Sequence, residues 1–367
     1  MQPAPANRFS PSLLYGQITT PSCRPQWQLT RDRTSDFLNV SKLPELVDQG
    51  VVEPLNDYLD ELGVDLSSMY TQNSIDSVTF DGEIYAIPLD THAEVMYYNK
   101  DILEKAGVEL NADGKLDIGS LDDFKAMLDK VKAVMGDGES PLSLPNTGDD
   151  PYRVWWATYF QMGGTPIVND DGTEVTLDKD KAVEAAEFVK SLYDDGYVAT
   201  GIDDHQKLFQ SGKAGFLFSG TWAVGVMESI DGLNFNVQSF PQLFDEDHCW
   251  ADSHTFILPV NGDRDEDETK AAVEFMVAAC KDGGLTWAGS GQIPANTEVT
   301  GNEEYAALPY RSNYQDEVEK AVLPAKNPHF YAMKDGMIQS LDTIWTGTND
   351  AATGIDALVD ELSSNLE

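Results

Sequence analysis

The chain has 367 residues, 63 of them acidic and 24 basic, for a net charge of −39. That length exceeds one ordinary core and fits two domains. So acidic a surface repels phosphate backbones and anionic lipid, and no apolar run approaches the ~20 residues of a membrane-spanning helix. Nucleic acid is therefore excluded as a partner.

The acids are dispersed (Asp57, Asp60 and Glu61; Asp263, Asp265, Glu266, Asp267 and Glu268) rather than gathered in one block. Dispersed acid with little lysine reads as a surface adapted to high salt, where the Debye length shrinks to about 3 Å at 1 M. A halophilic source is the expectation, and the charge then carries no message about a ligand. Cys23, Cys249 and Cys280 are odd in number and widely spaced, which fits neither a disulfide framework nor a zinc site. The five histidines show no His-x-x-x-His spacing. No metal, no cofactor and no catalytic residue is assigned.

In chain order, residues 1–35 stand apart. Arg8, Arg24, Arg31 and Arg33 against the single Asp32 give +3, leaving −42 for the rest, and five prolines fall by residue 25. The segment lacks the basic start and continuous apolar core of a signal peptide. It is expected not to supply the first strand and helix of a domain, since proline removes a ladder donor. From Asp36 the pattern becomes regular. SKLPELVDQG reads as a short helix closed by Gly50. VTFDGEIYAIP is a strand, an Asp-Gly turn and a second strand, ended by Pro88. VMYYN is a strand and KDILEKAG a helix closed by Gly107.

Ser120 caps a helix whose Leu121, Phe124, Leu128, Val131 and Met135 keep helical spacing. SPLSLPN is a buried strand, DPYRVWWATYFQMGG an aromatic helix and DKAVEAAEFVKSLYDDG an amphipathic one. Asp170-Asp171-Gly172 reads as a β-turn, because the later acids lack EF-hand spacing. HQKLFQSGKAGFLFSGTWAVGVM reads helix, strand, turn, helix. FNVQSF and HTFILPV are strands. TKAAVEFMVAACKDGG, KDGMIQSLDTIWTG and GIDALVDELSSNL are helices. The alternation gives an α/β fold with mixed sheets covered by helices.

Four segments in order carry a resemblance. IYAIPLDTHAEVMYYNKDILEKAG, GGTPIVNDDGTEVTLDKDKAVEAAEFVKSLYDDG, FQSGKAGFLFSGTWAV and WAGSGQIPAN resemble the carbohydrate-binding proteins of ABC transporters, in the style of the maltose and multiple-sugar types. The resemblance implies a two-lobe periplasmic-binding-protein-like α/β fold with hinge strands, and a ligand held between the lobes. It implies an extracellular monomer at the cell surface that delivers a carbohydrate ligand to ABC permease subunits, without catalysis. The crossings are expected near residues 90–94, 250–256 and 296–312. The division is then residues 1–35 as an atypical segment, 36–92 with 255–300 as the first lobe, and 93–254 with 301–367 as the second.

Sugars offer apolar C–H faces to flat rings, and hydroxyls to carboxylates and amides. By the resemblance, Tyr152, Trp155, Trp222, Phe330 and Tyr331 are the candidate rings, and Asp90, His92, Glu94 and Asp150 the hydroxyl partners. Adjacent tryptophans cannot share a helix face, so Trp156 is assigned to the core. Tyr97 and Tyr98 are also read as core, and Trp250 and Asp252 are set outside the site. Two other functions stay open. A glycoside-processing enzyme would need two carboxylates about 5–9 Å apart. A binding protein for another solute, such as a polyamine, would gather acids around rings, and Asp90, Glu94 and Asp150 keep that option alive.

Overall fold

A computed structural model describes residues 35–366 except 170, 171 and 203. The expectation for the first 34 residues, including Cys23, lies outside the described residues, as does the turn at Asp170-Asp171. Twelve strands are found among the described residues: β1 (Asp36–Asn39), β2 (Thr79–Phe80), β3 (Glu83–Ile84), β4 (Ala86–Pro88), β5 (Asp90–Asn99), β6 (Ser140–Ser143), β7 (Ala214–Gly220), β8 (Phe235–Ser239), β9 (Cys249–Asp252), β10 (His254–Ile257), β11 (Ile293–Pro294) and β12 (Ala321–Val322).

They form two principal sheets and one hairpin. The smaller sheet runs β1-β10-β4 and is antiparallel throughout. The larger runs β12-β9-β5-β7-β6, with β8 and β11 also paired to β5. The Asp-Gly turn joins β2 to β3 with Asp81 at φ 51° and Gly82 at φ 85°, the left-handed pair that a two-residue hairpin needs.

β5 is the spine. All ten of its residues are buried. Asp90 and Thr91 pair with β11, His92 and Ala93 with β9, and Glu94–Tyr98 with β7. One uninterrupted strand thus leaves the small sheet's end of the molecule and becomes the centre of the large sheet. The β9–β10 passage returns across the same boundary, since β9 pairs with β5 and β10 with β1 and β4.

The hydrophobic interior follows the sheets. Leu55, Leu59, Ile87, Leu258, Val273 and Met276 pack on one side of the small sheet, and Val40, Leu43, Val78 and Ile257 on the other. The large sheet is covered by the helices Asp149–Gln161, Lys179–Asp194, Phe330–Trp345 and Ala351–Ser364, which join one continuous core. Local signals place these elements. Ser120 accepts from the Asp123 N–H at 3.2 Å and starts the helix Leu121–Lys132. Gly107, at φ 67°, closes the helix Lys100–Ala106 in the left-handed conformation that suits glycine.

The two bodies also meet away from the strands. Leu323 and Ala325 pack on the large core. Lys326 next to them donates to the Asp76 carbonyl and to the Thr79 carbonyl at 3.0 Å. Its ammonium also stands 5.1 Å from the centre of the Phe80 ring, which packs on the small sheet's core.

Candidate functional site

A cavity of about 290 Å³ opens where β5, β9 and β10 change sheets. Rings dominate its wall: Phe37, Trp222, Trp250, Trp287, Phe330 and Tyr331, with the imidazoles of His92 and His254. Its size matches the lower end of small-molecule sites, and a ring-lined wall with a few polar groups is their usual composition.

Each ring has a local reason for its place. Trp222 sits in the 3₁₀ turn after β7, folded over Gly220, where a Cβ would fall 2.0 Å from the indole. Only glycine permits that ring position. Trp250 lies on β9 at right angles to Trp222, with centroids 6.4 Å apart. Arg153 fills the corner between them, its guanidinium carbon 4.8 Å from one ring and 4.5 Å from the other. Such contacts are favourable because the ring faces are electron-rich.

Carboxylates stand behind this arginine. Asp150 pairs with its Nη1 at 2.7 Å, while Asp149 and Glu94 lie at 3.7 and 3.9 Å. Lys334, which also lines the cavity, reaches Asp149 at 2.5 Å. Glu94 is fully buried on β5 and neither of its oxygens has a hydrogen-bond partner among the described residues. Burial first, then the charge of Asp150, pushes its carboxyl well above the usual range against the pull of Arg153. Burial raises Asp150 as well.

At the opposite wall, Asp90 is fully buried and receives the Trp287 indole N–H at 2.6 Å and the His254 amide at 2.9 Å. The Nδ1 atoms of His254 and His92 approach it at 2.8 and 3.2 Å. Polar atoms of Asp90, His92 and His254 lie within 4.8 Å of one another, so this trio is the set of described residues able to hold a metal. The donors argue against that use. A cation there would displace an indole N–H and an amide N–H, neither of which can ligate. Asp252, between the two walls, accepts from Ser41 Oγ at 2.6 Å, the Ser253 amide at 2.8 Å and Asn39 Nδ2 at 3.3 Å.

The nine candidates from the sequence divide into three groups. His92, Trp222, Phe330 and Tyr331 line the cavity together. Asp90, Glu94 and Asp150 sit one layer back, on the residues that line it. Tyr152 and Trp155 do neither. Both are fully buried in the large core, where Trp155 donates its indole N–H to the Ala182 carbonyl at 3.0 Å and stacks on Tyr159 at 5.6 Å. The single-face argument took one side of the helix Asp149–Gln161 to be open. It is covered all round, with ten of its thirteen residues buried, and Arg153 is the residue that reaches the cavity. Trp250 and Asp252, set outside the site on sequence, line it. Their position beside the second crossing was the available signal. Phe37, Trp287 and His254 carried none that local pattern could separate from core residues.

Two α/β bodies joined by strands that cross between them, with a ring-lined cavity at the crossing, define the two-lobe binding-protein class. Residues 31–312 match the family of bacterial extracellular solute-binding proteins, and the chain belongs to that family. It is similar to the galactooligosaccharide-binding protein of Bacillus subtilis, 26% identical over 50% of this chain and 43% of that protein. It is also similar to the maltotriose-binding protein of Pyrococcus abyssi, 22% identical over 82% of this chain and 63% of that one. The chain spans about half the length of the curated relatives it matches, from 43% to 63% for these two. Among solved structures, the GacH receptor of Streptomyces glaucescens, determined unliganded and with acarbose, superposes with a TM-score of 0.78 at 21% identity, covering 93% of this chain and 87% of that one. The sugar-binding protein MalE of Xanthomonas citri superposes with a TM-score of 0.76 at 15% identity, covering 91% and 83%. These likenesses concern the two-lobe fold.

Proposed function

We propose that the protein binds a mono- or short oligosaccharide in the cavity between its lobes and presents it to an ABC permease at the extracellular face of the membrane. It acts as a monomer and without catalysis. The observation that carries this reading is the cavity wall itself: six aromatic side chains, interrupted by hydrogen-bonding groups on Asp252, Arg153 and the two histidines. Flat rings cover the C–H faces of a sugar, and the polar groups between them meet its hydroxyls. Named relatives bind maltotriose and galactooligosaccharide, which supports the same class here.

The lobe division we favour is 36–92 with 255–300, and 93–254 with 301–367; the sheet change along β5 and between β9 and β10 supports it. The contact set we favour is His92, Trp222, Trp250, His254, Trp287, Phe330 and Tyr331. Asp90, Glu94 and Asp150 serve to hold their neighbours.

A polyamine is the weaker reading. The charged groups at the wall include Arg153 and Lys334, which repel a polycation. Calorimetry in molar potassium chloride, with neutral mono- to trisaccharides on one side and spermidine on the other, tests the choice. Sugar binding with no response to spermidine is expected; the reverse would refute the proposal.

A further inference from the structure

β5 and β10 bring two imidazoles together at the cavity wall. The rings of His92 and His254 have centroids 4.2 Å apart and are tilted by 34°. Both turn Nδ1 toward Asp90, and neither Nε2 has a hydrogen-bond partner among the described residues. Both residues line the cavity. An ionised carboxylate that only accepts requires N–H at each Nδ1. Asp90 therefore fixes the tautomers, and the two Nε2 atoms, across the rings from it, are left for whatever enters. A hydrogen bond at one ring nitrogen sets the role of the other in this way.

The surroundings treat the two rings differently. Burial lowers His254, but the charge and hydrogen bond of Asp90 outweigh it, with help from Asp252, and the net shift is upward. Burial and then the charge of His254 lower His92, and Asp90 does not fully compensate. The remaining neighbours are uncharged rings: Phe37 stacked on His254 at 4.8 Å, Trp287 at its edge, and Trp222 and Trp250 near His92. Arg153 and Lys334 line the same cavity and also oppose a second proton.

We propose that, between their two titration steps, His92 and His254 carry one extra proton between them and grip the ligand as a matched pair, an Nε2–H donor on His254 beside an Nε2 acceptor on His92. Asp90 is the positioning residue. The inference rests on the reading of the cavity as a site for a hydroxylated ligand. A hydroxyl donates and accepts at once, so neighbouring hydroxyls satisfy both imidazole nitrogens. A second proton turns the acceptor into a donor and places two cations side by side. Loss of the first proton leaves two acceptors and no donor. Affinity then passes through a maximum and falls on either side, which is how one pair both selects a diol and releases it when the pH changes.

Histidine-ring NMR on the full-length chain in molar potassium chloride tests the pairing without any ligand. Two of the five histidines should titrate as a coupled pair, one step above and one below the ordinary value of about 6.5. H254Q or H254N should move the remaining His92 step upward, so either variant suffices if the other fails to fold, whereas H92Q should leave the His254 step in place, because His92 is still uncharged when that step occurs. D90N should lower the upper step. Two independent titrations, or a His92 step unmoved by H254Q, would overturn the pairing. Calorimetry with the tightest sugar from pH 5 to pH 9 tests the grip. A fall of at least about threefold on each side, flattened in H92Q and H254Q, is expected. Flat affinity in the wild type overturns this inference and leaves the sugar reading standing; no sugar bound at any pH overturns both.

Discussion

Glu317 offers a measurement whose sign and size follow from its surroundings. It is fully buried in the helix Glu317–Lys320, beside the return of the chain to β12. Its Oε1 accepts the Phe240 N–H at 2.5 Å, and its Oε2 has no partner among the described residues. Burial pushes the carboxyl from 4.5 up to about 8, against the opposing pull of Cys249, Lys320 and the Phe240 amide. The folded state thus holds a proton that the unfolded chain releases. Stability from this group is fully present below about 4.5 and is lost as pH rises toward 8. A shift from 4.5 to about 8 corresponds to a ceiling of roughly 5 kcal/mol, at about 1.4 kcal/mol per unit. Relaxation of the buried site should leave about 2–4 kcal/mol. Glu317→Gln keeps the acceptor for Phe240 and removes the titration. Urea unfolding at constant molar salt should give wild type and variant within about 1 kcal/mol at pH 5, with the variant ahead by about 2–4 kcal/mol at pH 8.5. The surface acids are common to both and cancel in the difference. Curves that stay parallel from pH 5 to 8.5 would refute the assignment of Glu317 as a buried neutral acid.

Other outcomes follow from the cavity and the seam. Trp222→Ala should weaken sugar binding by about 1 kcal/mol or more in calorimetry, and unchanged affinity would remove the ring from the contact set. Trp155→Ala should instead lower unfolding stability by about 3–5 kcal/mol, as expected for a core indole; a loss below 1 kcal/mol would contradict its placement. Lys326→Ala should raise the radius of gyration in solution scattering and speed ligand release up to about fivefold, since exposed charge-assisted contacts contribute about 1 kcal/mol; identical scattering and release would show that the seam holds without it. Unfolding midpoints should rise with potassium chloride into the molar range if the dispersed acids repel one another, and a midpoint independent of salt would mean that they do not.

The sequence made some of this legible and hid the rest for identifiable reasons. The Asp-Gly hairpin, the Ser120 cap and the Gly107 closure are local devices, and each appears where its residues stand. VMYYN was readable as a strand from its own pattern, whereas its extension back to Asp90 came only from the resemblance, which put a hinge strand at residues 90–94, because polar residues in strands normally mark a solvent face. Here Asp90, His92 and Glu94 are buried by partners distant in sequence: His254, Trp287 and Arg153. β1, β9 and β12 were missed, being short strands fixed by pairing with segments more than 70 residues away. The site was half legible for the same reason. Trp222 is announced by the glycine beneath it, whereas Phe37 and Trp287 become cavity residues only once β10 and the helix Gly284–Ala288 are folded against them.

Three of the seven tryptophans face one small cavity, and two of them flank a guanidinium. The protein therefore carries a built-in optical reporter. Any solute that stacks on Trp222 or Trp250 must displace Arg153 from a ring face or share the ring with it, altering the field that those indoles sense. Trp155 and Trp156 are sealed in the core and supply a steady background against which the change is read. A library of solutes can thus be screened by intrinsic emission alone, with no dye, no tag and no prior guess at the cargo.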